Sequence, residues 1–131
     1  MQIHQSIVEL TVRDVGRSLS FYQGILGFEK LMEDRKEDKV YWVLLTLNGF
    51  KLSLKEEEKQ HQESPFLRGQ PRGGSMLLCF HVHDIQATYA HVLQHCQTLN
   101  HPHLTPCGAT DFSMRDLDGY VLTFQQQGDH T

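Results

Sequence analysis

This chain of 131 residues contains nine histidines, whose imidazole side chains can bind metal ions. His91 and His95 lie four residues apart, a spacing at which two side chains share one helix face and can bind one ion. No third ligand accompanies them, and His101 and His103 flank Pro102 in a loop without forming a recognisable ligand set. The histidine spacing therefore predicts no metal centre, and we expect no cofactor.

Three other side chains are candidates for acid–base or nucleophilic chemistry: His81, Glu9 and Cys79. An imidazole titrates near neutrality and can act as a general base, and a thiol is a nucleophile where its pKa is lowered. Such residues more often have structural roles, as hydrogen-bonded histidines, ion-paired carboxylates and inert buried thiols. The three residues remain candidate catalytic groups for an alternative enzymatic function.

The elements that position these residues occur twice. A shift of 70 residues places the apolar residues of the segment from Ile7 to Val12 on those of the segment from Leu77 to Val82. The same shift places Asp14 on Asp84, and Asn48-Gly49 on Asp118-Gly119. Two copies of one supersecondary unit are therefore predicted.

Each copy reads as β-α-β-β-β. Alternating apolar residues predict the first strand, Asp14 or Asp84 caps the helix, and Asn-Gly or Asp-Gly predicts a type I′ hairpin between the last two strands. The second strands are weakly marked, at residues 28–34 and 103–107. The pattern therefore predicts an α+β domain with two tandem βαβββ modules.

The boundaries follow from composition. We expect one domain over residues 1–131, with module one at 3–55, a connector at 56–75 and module two at 76–127. The charged run KEEEK, Pro65, Pro71 and Gly73-Gly74 indicate a solvated connector, and a loop of this length can also serve as a lid.

Composition also restricts location and partners. A net charge of −4 without a basic patch argues against nucleic acid as a partner. No apolar run approaches the ~20 residues of a membrane span, and no signal peptide is recognisable. Three cysteines without C-x-x-C spacing suit reduced thiols. We therefore expect a cytoplasmic protein with a small neutral or cationic ligand and no membrane partner.

Two motifs resemble one known family. The segment IVELTVRDVGRSLSFYQGILGF contains V-x-D before the helix and F-Y-x-x-x-L-G-F at its end, and DLDGYVLTF lies near the C-terminus. Together they are similar to the glyoxalase, bleomycin-resistance and dioxygenase superfamily, also called vicinal oxygen chelate proteins. The resemblance implies that the two βαβββ modules form a curled mixed sheet around a ligand-binding cleft, usually in a homodimer.

Metal-dependent members of that family hold a divalent ion at matching points of the two modules. The resemblance assigns these points to Ile7, Ser53, Leu77 and Thr123, and none of these is a usual ligand of such a site. The expected function is therefore metal-independent binding or sequestration of a small organic molecule, of the bleomycin-resistance type. The alternatives are a lyase, isomerase or dioxygenase-like enzyme, and a protein-interaction dimer with a vestigial cleft.

Strand alternation predicts which side chains face the cleft. It places Trp42 in the core and the neighbouring Tyr41 in the cleft. The predicted ligand-binding residues are Ile7, Glu9, Thr11, Tyr41, Val43, Ser53, Leu77, Cys79, His81, Ser113, Arg115 and Thr123.

Overall fold

Residues 1–128 are described by the computed structural model of the chain. They divide into two compact units, residues 1–70 and the residues from Pro71 onward. The dividing point falls within the segment predicted as a connector.

The first unit contains a four-stranded mixed sheet. Its elements are β1 (Val8–Val12), α1 (Val15–Gly24), β2 (Glu29–Lys36), β3 (Lys39–Leu47), β4 (Phe50–Glu56), α2 (Glu57–Glu63) and a 3₁₀ turn (Pro65–Leu67). The strand order is β1-β4-β3-β2, with β1 parallel to β4 and the other neighbours antiparallel.

The second unit repeats this topology. Its elements are β5 (Leu77–His81), α3 (Ile85–Leu93), β6 (His103–Leu104), β7 (Thr110–Arg115) and β8 (Val121–Gln126). The strand order is β5-β8-β7-β6, again with one parallel pair, β5 and β8. The predicted α+β class with two βαβββ modules is confirmed, including the weakly marked strands β2 and β6.

Equivalent aspartates begin the two long helices. The carboxylate of Asp14 accepts a hydrogen bond from the Arg17 N–H at 3.1 Å, and that of Asp84 accepts from the Ala87 N–H at 3.0 Å. Each bond satisfies an N–H group that has no partner within its helix. The capping predicted from the repeat is confirmed.

One face of each sheet forms a core. In the first unit, α1 packs on β3 and β4, and the strand residues on the buried face are almost completely inaccessible to solvent: Leu10, Val12, Val43, Leu45, Leu52 and Leu54. In the second unit, the ring of Phe124 stacks on Phe80 and Phe112, with centroids 5.7 and 5.3 Å away. Burial of each such side chain contributes roughly 1.5–3 kcal/mol, so these faces supply most of the stability.

The first hairpin has the predicted turn. Leu47 pairs with Phe50, and the two residues between them have positive φ, 49° at Asn48 and 85° at Gly49. These are the angles of a type I′ turn, which Asn and Gly tolerate better than other residues.

The second hairpin is one residue longer, so the type I′ prediction for it was wrong. The Asp116 N–H donates to the Tyr120 carbonyl at 2.9 Å, and only Gly119 of the Asp118-Gly119 pair has positive φ, 91°. The Asp116 carboxylate accepts from the N–H groups of Asp118 and Tyr120, both at 2.9 Å. This carboxylate stabilises a three-residue loop, whereas the loop of the first hairpin has two residues.

Candidate functional site

The polar face of the first sheet is built from alternate residues of β1, β4 and β3. Glu9 pairs with Ser53, Thr11 with Lys55, and Lys55 in turn with Trp42. Since paired residues of neighbouring strands lie on the same side, these residues share the face opposite the buried core. We call this surface the Glu9 face, and its members are Glu9, Thr11, Trp42, Leu44, Thr46, Lys51, Ser53 and Lys55.

The carboxylate of Glu9 accepts hydrogen bonds on both oxygens. Oε1 accepts from the Trp42 indole N–H at 3.0 Å and from the Ser53 hydroxyl at 2.8 Å. Oε2 accepts from the Gln60 carboxamide at 3.1 Å and lies 3.7 Å from the Lys55 ammonium. The carboxylate and the indole ring therefore hold one another in fixed positions.

These contacts set the charge of Glu9. Partial burial raises the pKa of its carboxyl, but the hydrogen bonds from Gln60 and Ser53, the Lys55 charge and the Trp42 N–H outweigh burial. The net effect is a pKa below the ordinary value. Glu9 is therefore an anion at neutral pH, and this lowered pKa does not suit a general base.

Lys55 links Glu9 to helix α2. Burial lowers the pKa of its ammonium, but a hydrogen bond to Glu63 at 2.7 Å and the charges of Glu63 and Glu9 raise it above the ordinary value. The face therefore contains a chain of alternating charges, from Glu9 through Lys55 to Glu63, and remains charged at neutral pH.

Sequence reasoning missed the role of helix α2. Glu56 and Gln60 are only 7% and 4% exposed, so the prediction of a solvated connector was wrong for both. The carboxylate of Glu56 accepts from the Glu58 N–H at 2.8 Å and begins the helix. The run KEEEK contains no apolar residue, which explains why hydrophobic periodicity could not detect a packed helix.

The structure corrects the predicted orientation of β3. Val43 is fully buried and pairs with Leu54, and Tyr41 lies in the same alternation phase, on the core side of the sheet. Trp42, predicted to lie in the core, is on the Glu9 face. The prediction transferred the phase of β7 to β3 at the 70-residue offset, but the shorter first hairpin shifts this strand by one residue.

The second sheet has an equivalent open face, which we call the Thr123 face. Its phase agrees with the sequence prediction, because Cys79 and Ser113 both pair with Thr123, and His81 pairs with Gln125. Its members are Leu77, Cys79, His81, Asp111, Ser113, Arg115, Val121, Thr123 and Gln125.

Hydrogen bonds within this unit occupy several of these side chains. The hydroxyls of Ser113 and Thr123 are 2.8 Å apart, and the Arg115 guanidinium donates to the Gly119 carbonyl at 2.9 Å. Nε2 of His81 lies 3.4 Å from the Gln127 carboxamide nitrogen. The Thr123 face is thus a mixed polar and apolar surface.

Cys79 lacks the environment of an activated nucleophile. Burial raises the pKa of its thiol, and the negative charge of Asp111 raises it further. Because the thiolate is the reactive form, a raised pKa reduces reactivity at neutral pH.

The four positions that the resemblance assigned to a metal site do not fit a divalent ion. Ile7 and Leu77 have no donor atom. Ser53 donates its hydroxyl hydrogen to Glu9, and the Thr123 hydroxyl is paired with Ser113. Within residues 1–128, no group of three or more His, Cys, Asp or Glu side chains is placed to hold a metal ion.

The sequence model of the glyoxalase/bleomycin resistance protein/dioxygenase superfamily matches residues 4–124. The chain belongs to this superfamily. No curated protein matches the sequence, and among residues 1–128 no helix is long and apolar enough to cross a membrane.

Solved structures of the superfamily fold resemble the chain over nearly its whole length. A family enzyme from Burkholderia phytofirmans PsJN is 17% identical with a TM-score of 0.77, covering 92% of this chain and 96% of its own. TioX from Micromonospora sp. ML1 is 17% identical with a TM-score of 0.72, covering 95% and 98%. TnmS3, an antibiotic binding protein from Streptomyces sp. CB03234, is 21% identical with a TM-score of 0.70, covering 97% and 98%. At these identities the similarity establishes the fold.

Proposed function

We propose that this protein binds and sequesters a small organic molecule without a metal ion. The observation that carries this proposal is the Glu9 carboxylate, held by the Trp42 indole and the Ser53 hydroxyl on the sheet face opposite the core. A fixed charge beside a fixed aromatic ring can orient a ligand without any bond being made or broken. Small-molecule sites generally combine apolar surface with a few such polar groups.

The proposed ligand-binding residues differ from the predicted ones only on strand β3. Glu9, Thr11 and Ser53 remain candidates in the first unit, and Trp42 replaces Tyr41 and Val43. The candidates of the second unit are unchanged: Leu77, Cys79, His81, Ser113, Arg115 and Thr123. Ile7, immediately before β1, remains a candidate for apolar contact.

Similarity to TnmS3 supports capture of a small molecule, since that protein is described as antibiotic binding. The chemistry of two candidate catalytic residues also supports binding rather than turnover. The pKa of Glu9 is lowered and that of Cys79 is raised, and these directions do not suit a base or a nucleophile at neutral pH.

We also propose that the protein acts in the cytoplasm as a homodimer. The free thiols of Cys79, Cys96 and Cys107 support a reducing compartment. Leu31, Met32 and other large apolar side chains are exposed in the isolated chain, which supports burial against a second copy. Light scattering of the purified protein measures the subunit number directly.

Calorimetric titration with a panel of aromatic antibiotics and small aromatic amines tests the proposed binding. We expect saturable heat from at least one compound, with no chemical change in the recovered ligand. Trp42→Ala should abolish the heat because it removes both the ring and the N–H donor to Glu9. If no compound binds and the protein instead converts a substrate, with loss of turnover in His81→Ala, the enzymatic alternative is correct.

A further inference from the structure

Helix α2 is docked on the sheet without a single apolar side chain. Its sequence is EEKQHQE, and it packs against β1 and β4. Gln60 is nevertheless only 4% exposed, because its carboxamide points to Glu9. A surface helix ordinarily docks through an apolar stripe, so α2 lacks the usual driving force for packing.

Polar contacts therefore hold this helix in place. Gln60 donates to Oε2 of Glu9 at 3.1 Å, and Lys55 of β4 donates to Glu63 at 2.7 Å. Water competes for such bonds, so their net contribution is smaller than that of buried apolar area. Elements held in this way open locally, without unfolding of the rest of the unit.

We propose that α2 is a lid over the Glu9 face, and that a carboxamide group of the ligand replaces the Gln60 carboxamide on Oε2 of Glu9. This inference rests on the proposed small-molecule binding and specifies its ligand class. The site then has two states, closed with Gln60 bound and open with ligand bound.

The contacts of Glu9 select a neutral N–H donor. Oε1 already accepts from Trp42 and Ser53, which leaves Oε2 for the exchange. The Lys55 ammonium lies 3.7 Å from Oε2, so a cationic ligand group would meet a like charge there. A carboxylate would be repelled by Glu9 itself. A primary carboxamide, the same group as in Gln60, satisfies both constraints.

A matched pair of probes tests the exchange: benzamide, and acetophenone, in which a methyl group replaces the amide nitrogen. Trp42 is the only tryptophan, so a ¹⁵N-labelled sample gives one indole N–H cross-peak, and its position reports on the bond to Glu9. We expect benzamide to shift this peak saturably and acetophenone to leave it unchanged. Equal shifts from both probes would overturn the assigned ligand class.

A matched pair of variants tests the lid. Gln60→Ala removes the bond to Glu9, and Gln62→Ala alters an exposed residue of the same type on the same helix. We expect amide hydrogen exchange in α2 to be about tenfold faster in Gln60→Ala than in Gln62→Ala, the ratio expected for a hydrogen bond to a charged group. Exchange in β4 should be unchanged.

Benzamide affinity distinguishes this inference from the proposed function. Affinity should rise several-fold in Gln60→Ala and stay at the wild-type value in Gln62→Ala, because only the first removes the competing carboxamide. Equal affinity in both variants would overturn the lid and leave small-molecule binding intact. Faster exchange in Gln60→Ala without benzamide binding would overturn the ligand class, while the antibiotic titrations decide the proposed function independently.

Discussion

The side of the sheet on which Glu9 lies could be predicted from the sequence, but its hydrogen-bond partners could not. Alternation along β1 placed it on the face opposite the core, in agreement with its register opposite Ser53. Its partners could not be predicted, because Trp42 was assigned to the wrong side of β3 and Gln60 lies in a helix without an apolar pattern. Local periodicity determines the direction of a side chain, whereas its pKa depends on contacts between distant segments.

The lowered pKa of Glu9 predicts a pH dependence of stability. A carboxyl whose pKa is lower in the folded state stabilises the protein fully above its unfolded value of about 4.5, and this contribution is lost as the pH falls through the folded value. Glu9→Gln should lower the free energy of unfolding by about 1 kcal/mol at neutral pH. Because this variant lacks the carboxyl group, its free energy of unfolding should change less than that of the wild type over the acidic range. Urea denaturation at a series of pH values measures the difference.

Glu29→Gln provides the control for this measurement, since Glu29 is an exposed residue at the start of β2. Its pH profile should follow the wild type. Identical profiles for Glu9→Gln and the wild type would contradict the proposed ionisation of Glu9 in the folded state.

The two hairpins differ in loop length. Asn48-Gly49 and Asp118-Gly119 give the same signal in the sequence, yet one forms a two-residue loop and the other a three-residue loop. The longer loop is stabilised by Asp116, whose carboxylate accepts hydrogen bonds from the N–H groups of Asp118 and Tyr120. A dipeptide pattern therefore predicts that a hairpin exists but not the number of residues in its loop.

Removal of the Asp116 carboxylate should destabilise the second hairpin. Asp116→Ala leaves the N–H groups of Asp118 and Tyr120 without this acceptor, and each lost bond costs about 1 kcal/mol or more. Asp116→Asn keeps Oδ1, the atom that accepts both bonds, and should retain most of the stability. Thermal unfolding that is equally lowered in both variants would indicate that charge, rather than hydrogen bonding, stabilises the loop.

Gly73 lies close to Tyr120 of the second hairpin. It has φ of 69°, and a Cβ atom there would lie 2.8 Å from Cδ1 and 3.1 Å from Cα of Tyr120. Gly73→Ala therefore combines backbone strain with a steric clash against the second hairpin. Gly69→Ala, at φ of 79° with no atom within 4 Å, carries the strain alone, about 1 kcal/mol. Gly73→Ala should have the lower melting temperature of the two.

For the chain as a whole, the 70-residue duplication was the most informative feature of the sequence for predicting the fold. It predicted both four-stranded sheets, including strands that are weakly marked on their own. It also caused the principal error, since β3 and β7 correspond at an offset of 69 rather than 70 residues: Leu44 pairs with Ser53 as Ser113 pairs with Thr123. A repeat preserves topology more reliably than it preserves strand phase.

Removal of metal ions should affect neither the stability of the protein nor its ligand binding. Two of the four positions equivalent to a metal site carry alkyl side chains, and the hydroxyls of Ser53 and Thr123 are engaged in hydrogen bonds. Dialysis against a chelator should change neither the melting temperature nor the affinity for a bound antibiotic. A fall in either value that zinc or nickel reverses would contradict this reading of the donor set.

The unequal hairpins have an evolutionary consequence. Because side chains alternate along a strand, gain or loss of a single codon in such a loop exchanges the inner and outer surfaces of the strand next to it. One small deletion or insertion can therefore replace an entire row of potential contacts at once, whereas point mutations would have to accumulate position by position. Loop length in tandem copies of this kind is then a variable on which selection for new ligands can act.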